Sequence, residues 1–148
     1  MNPALMTAAG VCAWLLSGCH RPAVNQPVEL TVRAEGKSAQ GGFQVFLTVF
    51  PNWHVSHCRG TPIEVLEFSE ATEPPDGGAV EWNRVIDIGP IDDERADSLV
   101  ICGFDDGRLT PVWHGLIQPA KGKRLNGVNC WIGDAFESDC VSGVLDAD

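Results

Sequence analysis

One short segment of this chain alternates strictly between hydrophobic and polar residues. Within residues 27–35 the hydrophobic set is Val28, Leu30, Val32 and Ala34, and the polar set is Glu29, Thr31, Arg33 and Glu35. A period of two is typical of a β-strand with one buried face. Further β-rich runs follow at short intervals, over residues 43–50, 62–68, 80–88, 99–104, 108–117, 128–132 and 141–145. These short strands, without a long helical pattern, predict an all-β fold, either a small β-sandwich of the immunoglobulin-like type or a barrel.

Turn-forming residues separate most of the predicted strands. Asp105-Asp106-Gly107 predicts a three-residue hairpin loop with Gly107 in the left-handed conformation. Residues 74–78 (PPDGG) and Asn126-Gly127 predict further turns. Residues 91–98 (IDDERADS) are the one segment that predicts a turn or two of helix.

The composition suits one domain and constrains its partners. The chain has 148 residues, 44% of them hydrophobic, and no linker-like segment follows Pro27, so we expect a single β-rich domain over residues 28–148. Asp and Glu number 20 against 10 Lys and Arg, which gives a formal net charge of -10. That charge repels nucleic-acid phosphates, and no basic cluster is present to bind anionic lipid. We therefore expect a basic protein partner and no nucleic acid.

The amino-terminal segment has the pattern of an export signal. Residues 1–16 contain no charged side chain and are mostly apolar. Such a stretch matches the core of a signal peptide and is shorter than the roughly 20 residues of a membrane-spanning helix.

The residues that end this segment, Leu16-Ser17-Gly18-Cys19, resemble the lipobox of bacterial lipoproteins. The resemblance implies that residues 1–18 are a signal peptide, that Cys19 carries the lipid, and that residues 19–27 form a tether. In that family a residue such as His20 after the cysteine implies sorting to the outer membrane. The expected location is therefore the periplasm-facing side of the outer membrane of a Gram-negative bacterium, with the lipid as anchor.

Four cysteines remain once the predicted signal peptide and Cys19 are set aside. They are Cys58, Cys102, Cys130 and Cys140, and an even number in an oxidising compartment predicts two disulfides. Four cysteines allow three pairings, and the sequence does not choose among them. We favour a local clip between Cys130 and Cys140 and a second bridge between Cys58 and Cys102, which would join two apolar segments. The C-x-x-C spacing of redox-active dithiols does not occur.

Residues 43–58, FQVFLTVFPNWHVSHC, are similar to a strand, proline and Trp-His passage in the amino-terminal domain of the thiol-disulfide reductase family DsbD. This resemblance implies an immunoglobulin-like fold. The closely spaced active-site cysteines of that family have no counterpart near Cys58 or Cys102, so it implies no redox role.

Residues 54–58, HVSHC, are the leading candidate for metal or ligand chemistry. On a helix, His54, His57 and Cys58 would share a face and suit zinc or copper. On a strand, which the β-branched context favours, His57 would point away from the other two side chains. The strand interpretation predicts no metal and no cofactor. The alternative is a periplasmic carrier of a metal or small ligand that uses His54, His57 and His114.

Other patterns of catalysis or ion binding are absent from the sequence. The acidic clusters at residues 92–97 and 105–106 do not follow the EF-hand calcium loop, and we interpret them as solvated turns. No G-x-S-x-G motif accompanies the serines. We therefore expect that the protein is not an enzyme.

Charge, anchoring and the lack of catalytic motifs together predict a membrane-anchored protein-binding module. It would serve as an inhibitor, an immunity protein or an accessory subunit for a basic cell-wall or envelope protein. The predicted contact residues lie in or beside the Cys130 to Cys140 segment: Trp131, Asp134, Glu137 and Asp139. Tryptophan is among the residues enriched in binding hot spots.

Overall fold

The computed structural model describes residues 25–49, 58–73, 78–90 and 97–146. The described strands are β1 (Asn25–Ala34), β2 (Phe43–Val49), β3 (Glu64–Leu66), β4 (Val80–Pro90), β5 (Asp97–Asp105), β6 (Arg108–Leu116), β7 (Lys123–Ile132) and β8 (Ser138–Asp146). A short helix, α1 (Lys37–Gln40), lies between β1 and β2, and a 3-10 turn at Phe68–Glu70 follows β3.

The strands form two sheets of four strands each. The first sheet has the order β4-β1-β7-β8 and the second has the order β3-β2-β5-β6. All neighbours are antiparallel except β1 and β7, which are parallel. The predicted all-β, disulfide-stabilised sandwich is thus confirmed.

Most of the core lies between the two sheets. A second, smaller cluster of Phe46, Val100 and Cys102 is buried on the other face of the second sheet. The alternating residues of β1 pack in one cluster with Phe43 of β2, Leu66 of β3 and Leu99 of β5. Trp82 of β4 is 1% exposed and meets the ring of Phe43 edge to face at a centroid distance of 5.5 Å. Its indole nitrogen donates a hydrogen bond of 2.8 Å to the Glu67 carbonyl oxygen. This bond satisfies the indole N–H, the polar group that burial would otherwise leave unpaired.

Both disulfides have the pairing favoured from the sequence. Cys58 is bonded to Cys102, and Cys130 is bonded to Cys140. The described residues contain no free cysteine. The prediction of two structural disulfides is therefore confirmed.

The first strand begins earlier than its alternation indicates. It starts at Asn25, so the described strand includes Pro27, the last residue of the predicted tether. Pairing of β1 with β7 begins only at Glu29, and Asn25 and Pro27 flank a register shift against β4. Proline lacks a backbone N–H, and it is tolerated here because β4 is the one described strand that pairs with this stretch of β1.

Two predicted turns differ in the structure. Residues Asp105 and Arg108 pair directly, so the loop between β5 and β6 has two residues rather than three. Asp106 and Gly107 both have positive φ, 53° and 75°, as a type I′ hairpin turn requires. Asn126-Gly127 is not a turn but lies within β7, at a register shift between Leu125 and Gly127. A bulge accommodates the flexible Asn-Gly pair without ending the strand.

Two further predictions fall at the borders of the described residues. The predicted helix at residues 91–98 lies mostly outside them, and its last two residues, Asp97 and Ser98, belong to β5 instead. Of the predicted turn at residues 74–78, only Gly78 is described, and its φ is 76°. Among the residues that the structure describes, no helix is long and apolar enough to span a membrane.

Candidate binding surface on the β7–β8 hairpin

The β7–β8 hairpin contains all four of the contact residues predicted from the sequence. Trp131 lies near the end of β7, Asp134 and Glu137 lie in the loop of residues 133–137, and Asp139 lies near the start of β8. Cys130 and Cys140 are direct cross-strand partners, and their disulfide joins the two strands next to the loop. The hairpin is therefore held together by a covalent bond in addition to its backbone ladder.

The register of the hairpin decides which side chains leave the core. Cys130 is fully buried on the inner face of the first sheet. Because side chains alternate along a strand, Trp131 on β7 and both Asp139 and Val141 on β8 point to the outer face. We call these three residues the hairpin face.

Trp131 is surrounded by charged residues in a row that crosses the sheet. Its direct partners are Arg33 on β1 and Asp139 on β8. Arg33 in turn lies opposite Glu81 of β4, and its Nε is 3.3 Å from a Glu81 carboxylate oxygen. Trp131 remains 38% exposed, so it is not a core residue.

Val141 extends the apolar surface beside Trp131. It is the cross-strand partner of Asn129 and therefore the diagonal neighbour of Trp131 on the same face, at a separation of roughly 7 Å. It is 70% exposed, as large a fraction as any hydrophobic residue in the described chain shows. Val141 was not among the residues predicted from the sequence. The alternation of the strand could have indicated it. Val141 follows the disulfide-bonded Cys140, which faces inward, so Val141 faces outward.

Asp134 has a structural contact that the sequence did not reveal. Its Oδ1 accepts a 2.7 Å hydrogen bond from the backbone N–H of Lys37, at the start of α1. Gly36, which has a φ of 62°, lies so close that a Cβ there would be 1.8 Å from the same oxygen. The Asp134 carboxylate thus ties the hairpin loop to the turn after β1, which leaves this oxygen engaged within the chain.

Glu137 is folded back over the loop. Its carbonyl oxygen accepts a 2.8 Å bond from the Gly133 N–H. Its carboxylate lies over the Gly133 Cα, since a Cβ at that glycine would be 1.8 Å from Oε1. Of the three acidic residues predicted for binding, Asp139 is the one that lies directly beside Trp131 on the outer face.

The histidines predicted for the alternative carrier are only partly described. His114 is exposed on β6, opposite Val100, on the outer face of the second sheet. His54 and His57 lie outside the described residues. Cys58 is disulfide-bonded, so it supplies no thiolate for a metal. The described part of the chain holds no group of three or more His, Cys, Asp or Glu side chains that could bind a metal ion.

A cavity of about 290 Å³ borders the turn after β1, which Asp134 of the hairpin loop also contacts at Gly36. Its lining includes Glu35, Gly36, Phe68, Glu73 and Val80. Among the described residues, none of those that the sequence predicted for binding lines it.

Comparison with known proteins adds no relative. No protein-family model matches this sequence, and no curated protein is significantly similar to it.

Proposed function

We propose that this protein is a membrane-anchored envelope lipoprotein that binds a basic envelope protein through the hairpin face, as an inhibitor, immunity protein or accessory subunit. The observation that carries the proposal is an exposed tryptophan beside an exposed valine and an aspartate on a hairpin closed by a disulfide. Aromatic residues at the centre of an interface supply much of the binding free energy. A rigid hairpin also loses little conformational entropy when it binds.

The charge of the chain supports a basic partner. Its formal net charge is -10, and residues 1–18, the proposed signal peptide, contribute none of it. Asp139 places one negative charge directly beside Trp131. The positive charge on its other side, Arg33, is offset by the Glu81 carboxylate 3.3 Å away. A field of this sign accelerates encounter with positively charged proteins, and salt weakens that effect.

The course of β1 supports presentation of the hairpin face away from the membrane. The proposed lipid-bearing residue, Cys19, precedes β1 by a few residues, whereas Arg33, the partner of Trp131, lies near the far end of that strand. From Pro27 to Arg33 the strand rises about 20 Å. Trp131 would therefore stand at the end of the sandwich opposite the start of β1. Two disulfides also suit an oxidising compartment outside the cytoplasm.

The anchor is tested by metabolic labelling with palmitate. We expect label in the wild-type chain and none in Cys19→Ser, which should be recovered in the soluble periplasmic fraction. Two or more acyl chains hold a protein on a bilayer, and their loss removes that attachment. Equal labelling of both chains would contradict lipidation at Cys19.

The binding function is tested by crosslinking in the native envelope, followed by affinity capture of the lipidated protein and mass spectrometry. We expect a basic protein whose yield falls with added salt and is lost in Trp131→Ala. Val85→Ala is the matched control, because Val85 is 69% exposed on the same outer face but on β4. Recovery of the same proteins from Trp131→Ala would contradict the proposal. So would the absence of any protein partner together with a metal or small molecule retained by the purified protein, a result that would favour the carrier.

A further inference from the structure

We infer that the edge of β8, which no described strand covers, is where the partner docks, by adding an extended basic segment as a fifth strand of the first sheet. This inference rests on the proposed function and names its binding mode. In strand addition, main-chain hydrogen bonds provide affinity and alternate side chains provide specificity.

The register shows which backbone groups of β8 point outward. The Gly133 N–H donates to the Glu137 carbonyl at 2.8 Å, so this pair is hydrogen-bonded. In an antiparallel ladder such pairs alternate with non-hydrogen-bonded ones. The Cys130–Cys140 pair is then non-hydrogen-bonded, and its Cα separation of 4.1 Å fits that type. The backbone groups of Cys140 and Ser142 therefore point away from β7.

The other three sheet edges are protected in ways that β8 is not. On β3 the edge is only three residues long, and on β6 it contains Pro111. A register shift does not distinguish the edges, because β6 and β8 each face one. The start of the β4 edge is occupied by Thr72, which exchanges backbone bonds of 2.8 and 2.7 Å with Glu81. By contrast, β8 has nine residues, with no proline and no basic side chain. Short strands, prolines, bulges and lysines are the usual means of blocking strand addition.

The exposure of β8 fits an edge that no other described strand covers. Every residue of the strand except the partly buried Cys140 is exposed. The apolar residues among them are Val141 at 70%, Val144 at 44% and Leu145 at 41%. Near the loop, the Ser138 hydroxyl donates to the Val112 carbonyl of β6 at 2.7 Å. The open stretch of the edge is therefore centred on Ser142 rather than on the loop.

The outer-face side chains of β8 specify what the added strand must carry. An antiparallel segment would place one side chain opposite Val141 and, two residues later in its own sequence, another opposite Asp139. Complementary cross-strand pairs stabilise a sheet, and like charges directly opposite each other destabilise it. The segment should therefore contain an apolar residue, then any residue, then Lys or Arg. Its apolar side chain would extend the surface formed by Trp131 and Val141.

A second copy of this chain fits the edge less well. Two chains that each carry a net charge of -10 repel one another. If two β8 strands paired in full, with Ser142 at the centre, Asp139 of one copy would face Leu145 of the other. That pairing offers the aspartate no positive charge. The occupant of the edge is therefore a basic segment of a different protein.

The test uses synthetic peptides and the lipidated protein in detergent micelles. The probe is a fluorescent nine-residue peptide that alternates Thr with Val and contains Lys two residues after a central Val. Two N-methylated versions are the matched pair: one loses the N–H groups that would face β8, and the other loses the alternate N–H groups. A peptide with Glu in place of Lys tests the role of charge.

We expect saturable anisotropy for the unmodified peptide and slower amide exchange at Cys140 and Ser142. Methylation on the β8-facing side should weaken binding about tenfold or more, and the alternate methylation should have little effect. Asp139→Lys should reverse the preference between the Lys and Glu peptides. Ser142→Pro, checked for intact disulfides and an unchanged unfolding midpoint, should abolish peptide binding, because its N–H points outward.

Three results would overturn the inference. One is binding that both methylations weaken equally, and another is no binding of any peptide at millimolar concentration. The third is a dimer in sedimentation whose interface protects the β8 amides. If Ser142→Pro still captures the envelope partner in a Trp131-dependent manner, strand addition fails while the proposed function stands. If Trp131→Ala also leaves capture unchanged, the proposed function fails as well.

Discussion

The two faces of the first sheet place their tryptophans in opposite environments. Trp82 on the inner face lies opposite Val32, is 1% exposed and has both a ring partner and a hydrogen-bond acceptor. Trp131 on the outer face lies opposite Arg33, the next residue of the same strand, and is 38% exposed beside charged side chains. A one-residue step along β1 thus separates a residue that stabilises the fold from one that is available to a partner.

The largest predicted effect concerns the inner face. Trp82→Ala should lower the free energy of unfolding by about 3 to 5 kcal/mol, because it leaves a cavity against Phe43 and removes the bond to Glu67. Trp131→Ala should change it by no more than about 0.5 kcal/mol. Urea denaturation of both variants measures the difference. Equal destabilisation would show that Trp131 is part of the core and would contradict the contrast between the two tryptophans.

The next effect concerns the bridge that joins the two strands of the hairpin. Replacing both Cys130 and Cys140 by Ala should lower the free energy of unfolding by about 3 kcal/mol, the value expected for closing a short loop. It should also weaken partner capture, since a loosened hairpin face must be ordered during binding. Denaturation and capture with the same preparation test both parts. Unchanged capture from a destabilised protein would mean that the hairpin needs no covalent support.

A smaller effect separates the two aspartates of the hairpin. Asp134→Ala should cost about 1 kcal/mol of stability, because water replaces the carboxylate as acceptor for the exposed Lys37 N–H. Asp139→Ala should leave stability within about 0.5 kcal/mol of the wild type and reduce capture of the partner. Thermal unfolding and capture yields distinguish the two roles. Similar stability losses in the two variants would contradict the assignment of Asp134 to the fold.

The strands were predictable because alternation is a local property. Val28 to Ala34 shows it directly, and the spacing of Cys130 and Cys140 suggested a local bridge. The prediction of a turn at Asn126-Gly127 was wrong because bulges and turns favour the same residues. The pairing with neighbouring strands decides which of the two forms. The contact of Asp134 with Lys37 spans 97 residues, so no local pattern could indicate it. Alternation from Cys140 places Val141 on the outer face, but the extent of its exposure also reflects an edge strand, which only the topology reveals.

The most direct test of the hairpin face is hydroxyl-radical footprinting of the protein in intact envelopes and after purification. We expect oxidation of Trp131 to be several-fold lower in the envelope, because the partner covers it there. Trp82 should react slowly in both preparations and serves as the buried reference within the same chain. Reactivity of Trp131 that is the same in the envelope and in the purified protein would contradict the account.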